Sequence, residues 1–391
     1  MKLVVLGPGH PFRGGIATTT TALVLALRER GHVVDFLTPI RQYPKWLYPG
    51  GGGGRDAGAC PEIEGAHPVL DPLNPSAWPR GRRTALAAGA DVWLAPYWTW
   101  AWAGWWRFLL AADGPPVVGI VHNPVDHDSG FFSRAAASAV LSRCRGLFTH
   151  AIALERILKV DYPGVPIASH PLPATSVEEP PNRDAARRAL GLPLNQRVAV
   201  FAGLIRPYKG VDLLLEAMAS LPVESDWLLL VAGEPWGDEG ARLERRSRAA
   251  DLRDRVELDL RWLEEEALGN VLAAADLVVL PYREGSQSAM APLALARGVP
   301  VLTTNVGGLP EVVRDGINGR VVRAGSVREI ADALTNLDTG SLDRLATGAR
   351  ETSEQLTWGR YAESLEGLVE TVLDRAGREM TEQSNVEIAK S

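Results

Sequence analysis

The chain has 391 residues, 46% hydrophobic and 23% charged, with a formal net charge of −6, a composition that supports two domains of ordinary size and offers no overall attraction to nucleic acid or an acidic membrane. Cys60 and Cys144 stand far apart without paired spacing and suggest neither a disulfide framework nor a zinc site. Met1 and Lys2 lead directly into an apolar strand with no signal-peptide pattern, so the expected location is the cytoplasm.

KLVVLGPG, residues 2–9, reads as a buried parallel strand entering a glycine turn, and RGGIATTTTALVLALRERG, residues 13–31, as a helix with apolar positions at helical spacing. HVVDFLT, residues 32–38, is the next strand, giving the opening of a doubly wound sheet whose ligand lies beyond the carboxyl ends of the strands. Gly14 and Gly15 allow a phosphate close to the backbone there; a plain helix-start turn is the alternative. Gly7 and Gly9 begin a G-x-G, but the third glycine of a dinucleotide fingerprint is missing from its place and Asp35 lies inside the second strand.

From Arg41 to about Arg83 the sequence is irregular and rich in proline and glycine. Arg41, Tyr43, Lys45 and Trp46 are either the lining of an acceptor site or parts of a surface loop. ADVWLAPYWTWAWAGWWRFLLAA, residues 90–112, holds half of the chain's twelve tryptophans. Pro96, Gly104 and its strand-like start argue against a membrane span, which leaves core, acceptor binding, or peripheral membrane contact through Trp93 to Trp106.

In PPVVGIVHNPVDHDSG, residues 115–130, a buried strand ends at His122, where a ligand would lie. The imidazole there can donate to a sugar hydroxyl or to developing charge, or is structural. His127 and Asp128 are nearby, yet no spaced ligand set points to a metal. A further strand, helix and strand lead to the prolines at 171 and 173, and a polar linker follows.

The second half repeats the pattern. Residues 197–221 give strand, basic turn and helix, with Arg206 and Lys209 in the turn as donors of charge-assisted bonds to a diphosphate. Strands at 226–232, 255–260 and 275–282 lead to PYREGSQSAMAPLALARGVPVLTTNVGGLPE, residues 281–311: a polar loop, a helix, a strand, and a Gly-Gly turn before another helix start. Small-residue loops before helices expose unpaired N–H groups, although close helix–strand packing explains them equally well.

The order of these pieces resembles the retaining glycosyltransferases of family 4. It rests on GGI after the first strand, His122, RPYKG, VAGE, AADLVVLPY, and VGGLPEVVRDGINGRVV. The resemblance implies an α/β GT-B fold of two Rossmann-like doubly wound parallel-sheet domains facing each other across a cleft. It implies an acceptor-binding domain over 1–175, a nucleotide-sugar-binding domain over 176–357 and a helix over 358–376 that crosses back to the first domain. A disordered tail is expected over 377–391, where no apolar face continues.

The activity implied is metal-independent transfer of a sugar from a UDP- or GDP-sugar, with no prosthetic group. The acceptor is a small metabolite or natural product, or a cell-envelope glycan or lipid; the rival is a GT-B scaffold that binds sugar nucleotide without catalysis. The residues expected to carry catalysis are His122, Arg206, Lys209 and Glu284. Those expected at the donor are Gly14, Gly15, Gly233, Glu234, Ser286, Gln287, Ser288, Gly307, Gly308 and Glu311.

Two departures stand out. The family's two glutamates have seven residues between them, but counting eight on from Glu284 reaches Pro292. Gapless counting from Gly298 and Pro300 instead puts Gly285 and Leu293 at those positions. The arginine that usually follows the glycine of the basic turn is Leu204 here, leaving Arg206 to reach the phosphate from two residues on.

Overall fold

A computed structural model describes residues 1–12, 14–41, 63–111, 114–123, 130–175 and 181–388. Tyr43, Lys45, Trp46, Cys60, His127 and Asp128 lie outside the described residues. The chain forms two compact units, Met1–His170 with Trp358–Ser391, and Pro171–Thr357.

The first unit runs β1 (Lys2–Leu6), α1 (Gly15–Glu29), β2 (Val33–Pro39), β3 (Ala66–Leu70), α2 (Trp78–Ala87), β4 (Val92–Tyr97), α3 (Ala103–Leu109), β5 (Val117–Val121), α4 (Gly130–Leu141), β6 (Gly146–Thr149), α5 (Ile152–Asp161) and β7 (Ile167–Ser169). Its sheet has the order β3-β2-β1-β4-β5-β6-β7, and each pairing is parallel. The central strands are continuous apolar runs because helices cover both faces of such a sheet. α1 carries four β-branched threonines at its start. Thr18 and Thr20 donate their hydroxyls to the carbonyls of Gly14 and Ile16 at 3.3 and 2.7 Å, so the half-buried Thr18 and the buried Thr20 leave no hydroxyl unsatisfied.

The stretch from Arg41 to Arg83 is more regular than its sequence suggests, since it contains β3 and the start of α2. Arg41 is held in a two-pronged pair with Asp71, at 2.9 and 3.0 Å, and its guanidinium thus anchors the end of β3. In the tryptophan-rich segment, Trp93, Trp102, Trp105 and Trp106 are each 1% exposed and Trp98 is buried. Only Trp100 is substantially exposed, so the segment is core and does not present an aromatic face to a membrane. No helix among the described residues is long and apolar enough to cross a membrane.

The second unit runs α6 (Arg183–Ala189), β8 (Arg197–Ala202), α7 (Val211–Ala219), β9 (Trp227–Ala232), α8 (Glu239–Ser247), β10 (Val256–Asp259), α9 (Glu265–Ala273), β11 (Leu277–Leu280), α10 (Met290–Ala296), β12 (Val301–Thr304), α11 (Leu309–Val312), β13 (Gly319–Val322), α12 (Val327–Asn336) and α13 (Thr339–Gln355). The sheet order is β10-β9-β8-β11-β12-β13, again parallel throughout. At the amino ends of β8 and β11, the buried Arg187 binds Asp276 at 2.5 Å and donates to the carbonyls of Ala274 and Gln196 at 3.0 and 2.9 Å. Asp276 also accepts from the Val198 N–H at 2.7 Å, so this charged pit is tied up in joining α6 to the sheet.

α14 (Trp358–Ile388) belongs to the first unit. Its Glu366 binds the Arg30 guanidinium through both oxygens, each at 2.6 Å, and His32 at 2.8 Å, fixing it to the end of α1. The helix continues past Gly377, where the sequence lacks an apolar face. Arg375 donates to the Gly164 carbonyl at 2.8 Å and Arg145 pairs with Glu379 at 3.2 Å, so polar contacts hold a turn that hydrophobic periodicity does not mark.

Candidate functional site

In the second unit, successive strands leave β8 toward β9 and β10 on one side and β11 toward β12 and β13 on the other. The loops after β8 and β11 leave the sheet at this switch point, the place where an open parallel sheet takes its ligand. Lys209, in the turn after β8, has its amine near Gly203 and Tyr282. A side chain placed on Gly203 would meet Lys209 Nζ at 3.7 Å and Met290 Cε at 3.8 Å. The same amine lies 5.6 Å from the centre of the Tyr282 ring, and the Tyr282 hydroxyl is 3.2 Å from Ser288 Oγ. Burial pushes the Lys209 amine below its ordinary 10.5, and burial raises Tyr282 to about 12. An amine in this low-dielectric setting gains from an incoming anion, since a second charge restores what desolvation removes.

Arg206 lies in the same turn but stacks over Trp236, 4.4 Å from the ring centre, after β9. Ala232 and Glu234, on either side of Gly233, are joined to that turn through their backbones: the Ile205 N–H donates to the Glu234 carbonyl at 2.9 Å and the Gly203 N–H to the Ala232 carbonyl at 3.0 Å. A Cβ on Gly233 would fall 2.0 Å from the Gly203 carbonyl oxygen, so glycine is required there by backbone packing.

The loop after β11 is fastened at both ends. Arg283 donates to Asp212 at 2.7 and 2.6 Å and to the Pro207 carbonyl at 2.8 Å. Glu284 is exposed, whereas Ser286, Gln287 and Ser288 are half-buried. Ser288 Oγ accepts from the Met290 N–H at 3.2 Å, starting α10. The Gly308 N–H donates to the Ser286 carbonyl at 2.7 Å, so this amide closes the loop and is not directed at a ligand. A Cβ on Gly307 would fall 2.1 Å from the Gly285 carbonyl oxygen. Glu311 sits in the first turn of α11, with its N–H on the Gly308 carbonyl at 3.1 Å.

In the first unit, Gly14 and Gly15 open α1 beyond β1, and side chains placed on them would meet nothing within 4 Å. His122 directly follows β5, with its N–H on the Tyr97 carbonyl at 2.9 Å. It is buried, and burial holds its imidazole neutral with a pKa of about 3. Its Nδ1 is 3.1 Å from His150 Nε2, and His150 Nδ1 is 3.3 Å from the Tyr361 hydroxyl on α14. Burial, with the neighbouring His122 and His170, also lowers the His150 pKa.

The second unit therefore brings together Lys209, Gly203 and Ser288, and adds Tyr282, which links them and which the sequence reading passed over although it ends the LVVLPY strand motif. In the first unit it adds His150 and Tyr361. His150 bears the same signal as His122, a histidine immediately after a buried strand; Tyr361 carries no signal beyond its place on an amphipathic helix. Among the described residues, no group of three His, Cys, Asp or Glu side chains is arranged to hold a metal ion.

Residues 13–164 match the family described as Glycosyltransferase Family 4, and residues 182–352 match Glycosyl transferases group 1. Among curated proteins, the chain is 36% identical over 199 residues to the D-inositol 3-phosphate glycosyltransferase of Mycolicibacterium smegmatis, covering 50% of this chain and 45% of that one. The corresponding protein of Nocardioides sp. is 37% identical over 208 residues, covering 49% and 45%. The match thus spans about half the length of these curated relatives. Among solved structures, sucrose-phosphate synthase from Thermosynechococcus elongatus superposes with a TM-score of 0.76 at 19% identity, over 96% of this chain and 100% of that one. HepE of Anabaena in complex with UDP-glucose gives 0.73 at 16%, over 93% and 99%. These two likenesses concern the fold.

Proposed function

The chain belongs to glycosyltransferase family 4, and from that premise we propose that it moves a sugar from a nucleoside diphosphate sugar to an acceptor hydroxyl, with retention at the anomeric carbon. The observation that carries this reading is the Lys209 amine, held beside the Tyr282 ring at the switch point of the second sheet. Cations in such a place favour a diphosphate, most of all as it leaves and gathers charge.

The bond between the anomeric carbon and the diphosphate oxygen breaks while the acceptor oxygen bonds to the same carbon from the same face. The acceptor proton passes to the departing phosphate oxygen, so no protein nucleophile is needed. Lys209 and Arg206 neutralise the leaving group in place of a metal, Arg206 by swinging from Trp236. Ser286, Gln287 and Ser288 hold phosphate and sugar hydroxyls, and the open backbone at Gly14 and Gly15 suits a phosphate. His122, kept neutral by burial, donates a hydrogen bond to the sugar. Glu284, on the loop after β11, and Glu311, in the first turn of α11, assist at the donor.

The donor is a UDP- or GDP-sugar. The names of the curated relatives make D-inositol 3-phosphate the first acceptor to test. Thermal shift against uridine, guanosine, adenosine and thymidine diphosphates identifies the base, because a ligand of the native state raises its stability. Incubation of the matching labelled sugar nucleotide with an acceptor panel should then yield a glycoside of unchanged anomeric configuration. Nucleotide binding with neither transfer nor donor hydrolysis over the panel would contradict the reading.

A further inference from the structure

β5, β6 and β7 are parallel and in register, with Val121 beside Thr149 and Thr149 beside Ser169. His122, His150 and His170 therefore stand side by side, each one residue beyond its strand end. Tyr361 of α14 closes this row: its ring stacks on His150 with centroids 5.8 Å apart, and lies edge-on to His170 at 5.7 Å. His150 and His122 are 4.4 Å apart between ring centres.

The Tyr361 side chain is fully buried, and its hydroxyl has one hydrogen-bonding partner among the described residues, His150 Nδ1 at 3.3 Å. A buried hydroxyl places its proton on an acceptor when one is in reach, since leaving it unmade forfeits the bond and keeps the desolvation cost. Tyr361 therefore donates to His150 Nδ1, which makes that nitrogen the acceptor of a neutral ring. The proton of His150 is then on Nε2, and Nε2–H donates across 3.1 Å to His122 Nδ1. His122 in turn carries its own proton on Nε2. The reverse direction would set the Tyr361 proton against no acceptor among the described residues.

We propose that Tyr361 and His150 are positioning residues that fix His122 as a neutral imidazole protonated at Nε2, so that the last helix sets the donor nitrogen which the sugar meets. This rests on the reading of His122 given above for its meaning in the reaction, although the tautomer itself does not. Burial supports it independently, because all three groups are held in their uncharged forms.

Long-range proton–nitrogen correlation on the full-length protein labelled in its histidine rings tests the assignment directly. The wild type should show the His122 proton on Nε2, and Tyr361→Phe, which keeps the stacked ring, should give a mixture of the two tautomers. With UDP-glucose as donor probe, Tyr361→Phe should lower kcat about tenfold with little change in KM. His150→Gln, whose amide can still donate, should retain more turnover than His150→Leu.

A wild-type His122 protonated at Nδ1 overturns the proposal even if Tyr361→Phe fails to fold. An unchanged tautomer and kcat in folded Tyr361→Phe does the same. If His122→Ala leaves turnover intact while the tautomers behave as stated, the sugar-contacting role of His122 is wrong and the hydrogen-bond chain stands.

Discussion

The amine of Lys209 lies 5.6 Å from the centre of the Tyr282 ring, with burial lowering the basicity of the amine and the ring supplying a partial negative face. A diphosphate bound there would raise the Lys209 pKa again. Nucleotide binding should therefore take up protons in mildly alkaline solution, and affinity should fall as the free amine deprotonates. Calorimetry in mildly alkaline solution, in buffers of different ionisation enthalpy, reads this uptake. Its disappearance in Lys209→Met assigns it; an unchanged uptake in that variant would place the proton elsewhere.

The glycines at the two candidate phosphate turns should separate by stability and activity. A Cβ on Gly15 enters open space at the first position of α1, so Gly15→Ala should change stability by less than about 0.5 kcal/mol. On the proposed reading its turnover should nevertheless fall, because the added methyl would occupy the space assigned to a phosphate. In Gly307→Ala the methyl would sit 2.1 Å from the Gly285 oxygen at a φ of 51°, and the second unit should lose at least about 2 kcal/mol. Denaturant unfolding paired with turnover distinguishes them; unchanged turnover in Gly15→Ala would remove phosphate from that turn.

Strands buried on both faces were the most legible elements, because residues such as Val4, Val118, Val200 and Val278 must be apolar whichever way they point. β3 was hidden: as the edge strand it tolerates His67 and Pro68, which break an apolar run. α2 was hidden by Pro79 and Gly81, a combination that reads as loop. At the site, Lys209 was legible from its turn. The function of Gly233 in backbone packing, the stacking of Arg206 on Trp236, and the pairing of His150 with Tyr361 across 211 positions depend on contacts that no local pattern carries.

Glu366 is the main polar anchor of the last helix on α1. Its carboxylate is held below the ordinary range first by the Arg30 hydrogen bond and then by His32, against the opposing effect of burial. Glu366→Gln should lower the stability of the first unit by about 1–2 kcal/mol, a figure moderated by the partial exposure of Arg30. Because the folded carboxylate is the stronger acid, this contribution is present above the unfolded pKa and is lost as pH falls through the folded one. Amide exchange along α14 should accelerate in the variant; equal rates would deny the anchor.

The buried histidines make a different acid signature. In the unfolded chain both rings protonate near 6.5, whereas in the folded chain they stay neutral, His122 down to about 3. Stability is therefore full above 6.5 and declines as pH falls from there, with His122 alone costing about 1.4 kcal/mol by about pH 5.5. The decline should be shallower in His150→Gln, which removes one of the two rings. Equal slopes for the two proteins would show that these rings protonate freely in the folded state.

Turnover of a sugar nucleotide by the Arg206→Ala, Lys209→Ala double variant, set against wild type with folding verified by circular dichroism, tests the central claim most directly. Neutralisation of the departing diphosphate by these two cations predicts a fall in kcat/KM of at least about a hundredfold, equivalent to two charge-assisted bonds. Wild-type turnover in the double variant would contradict it.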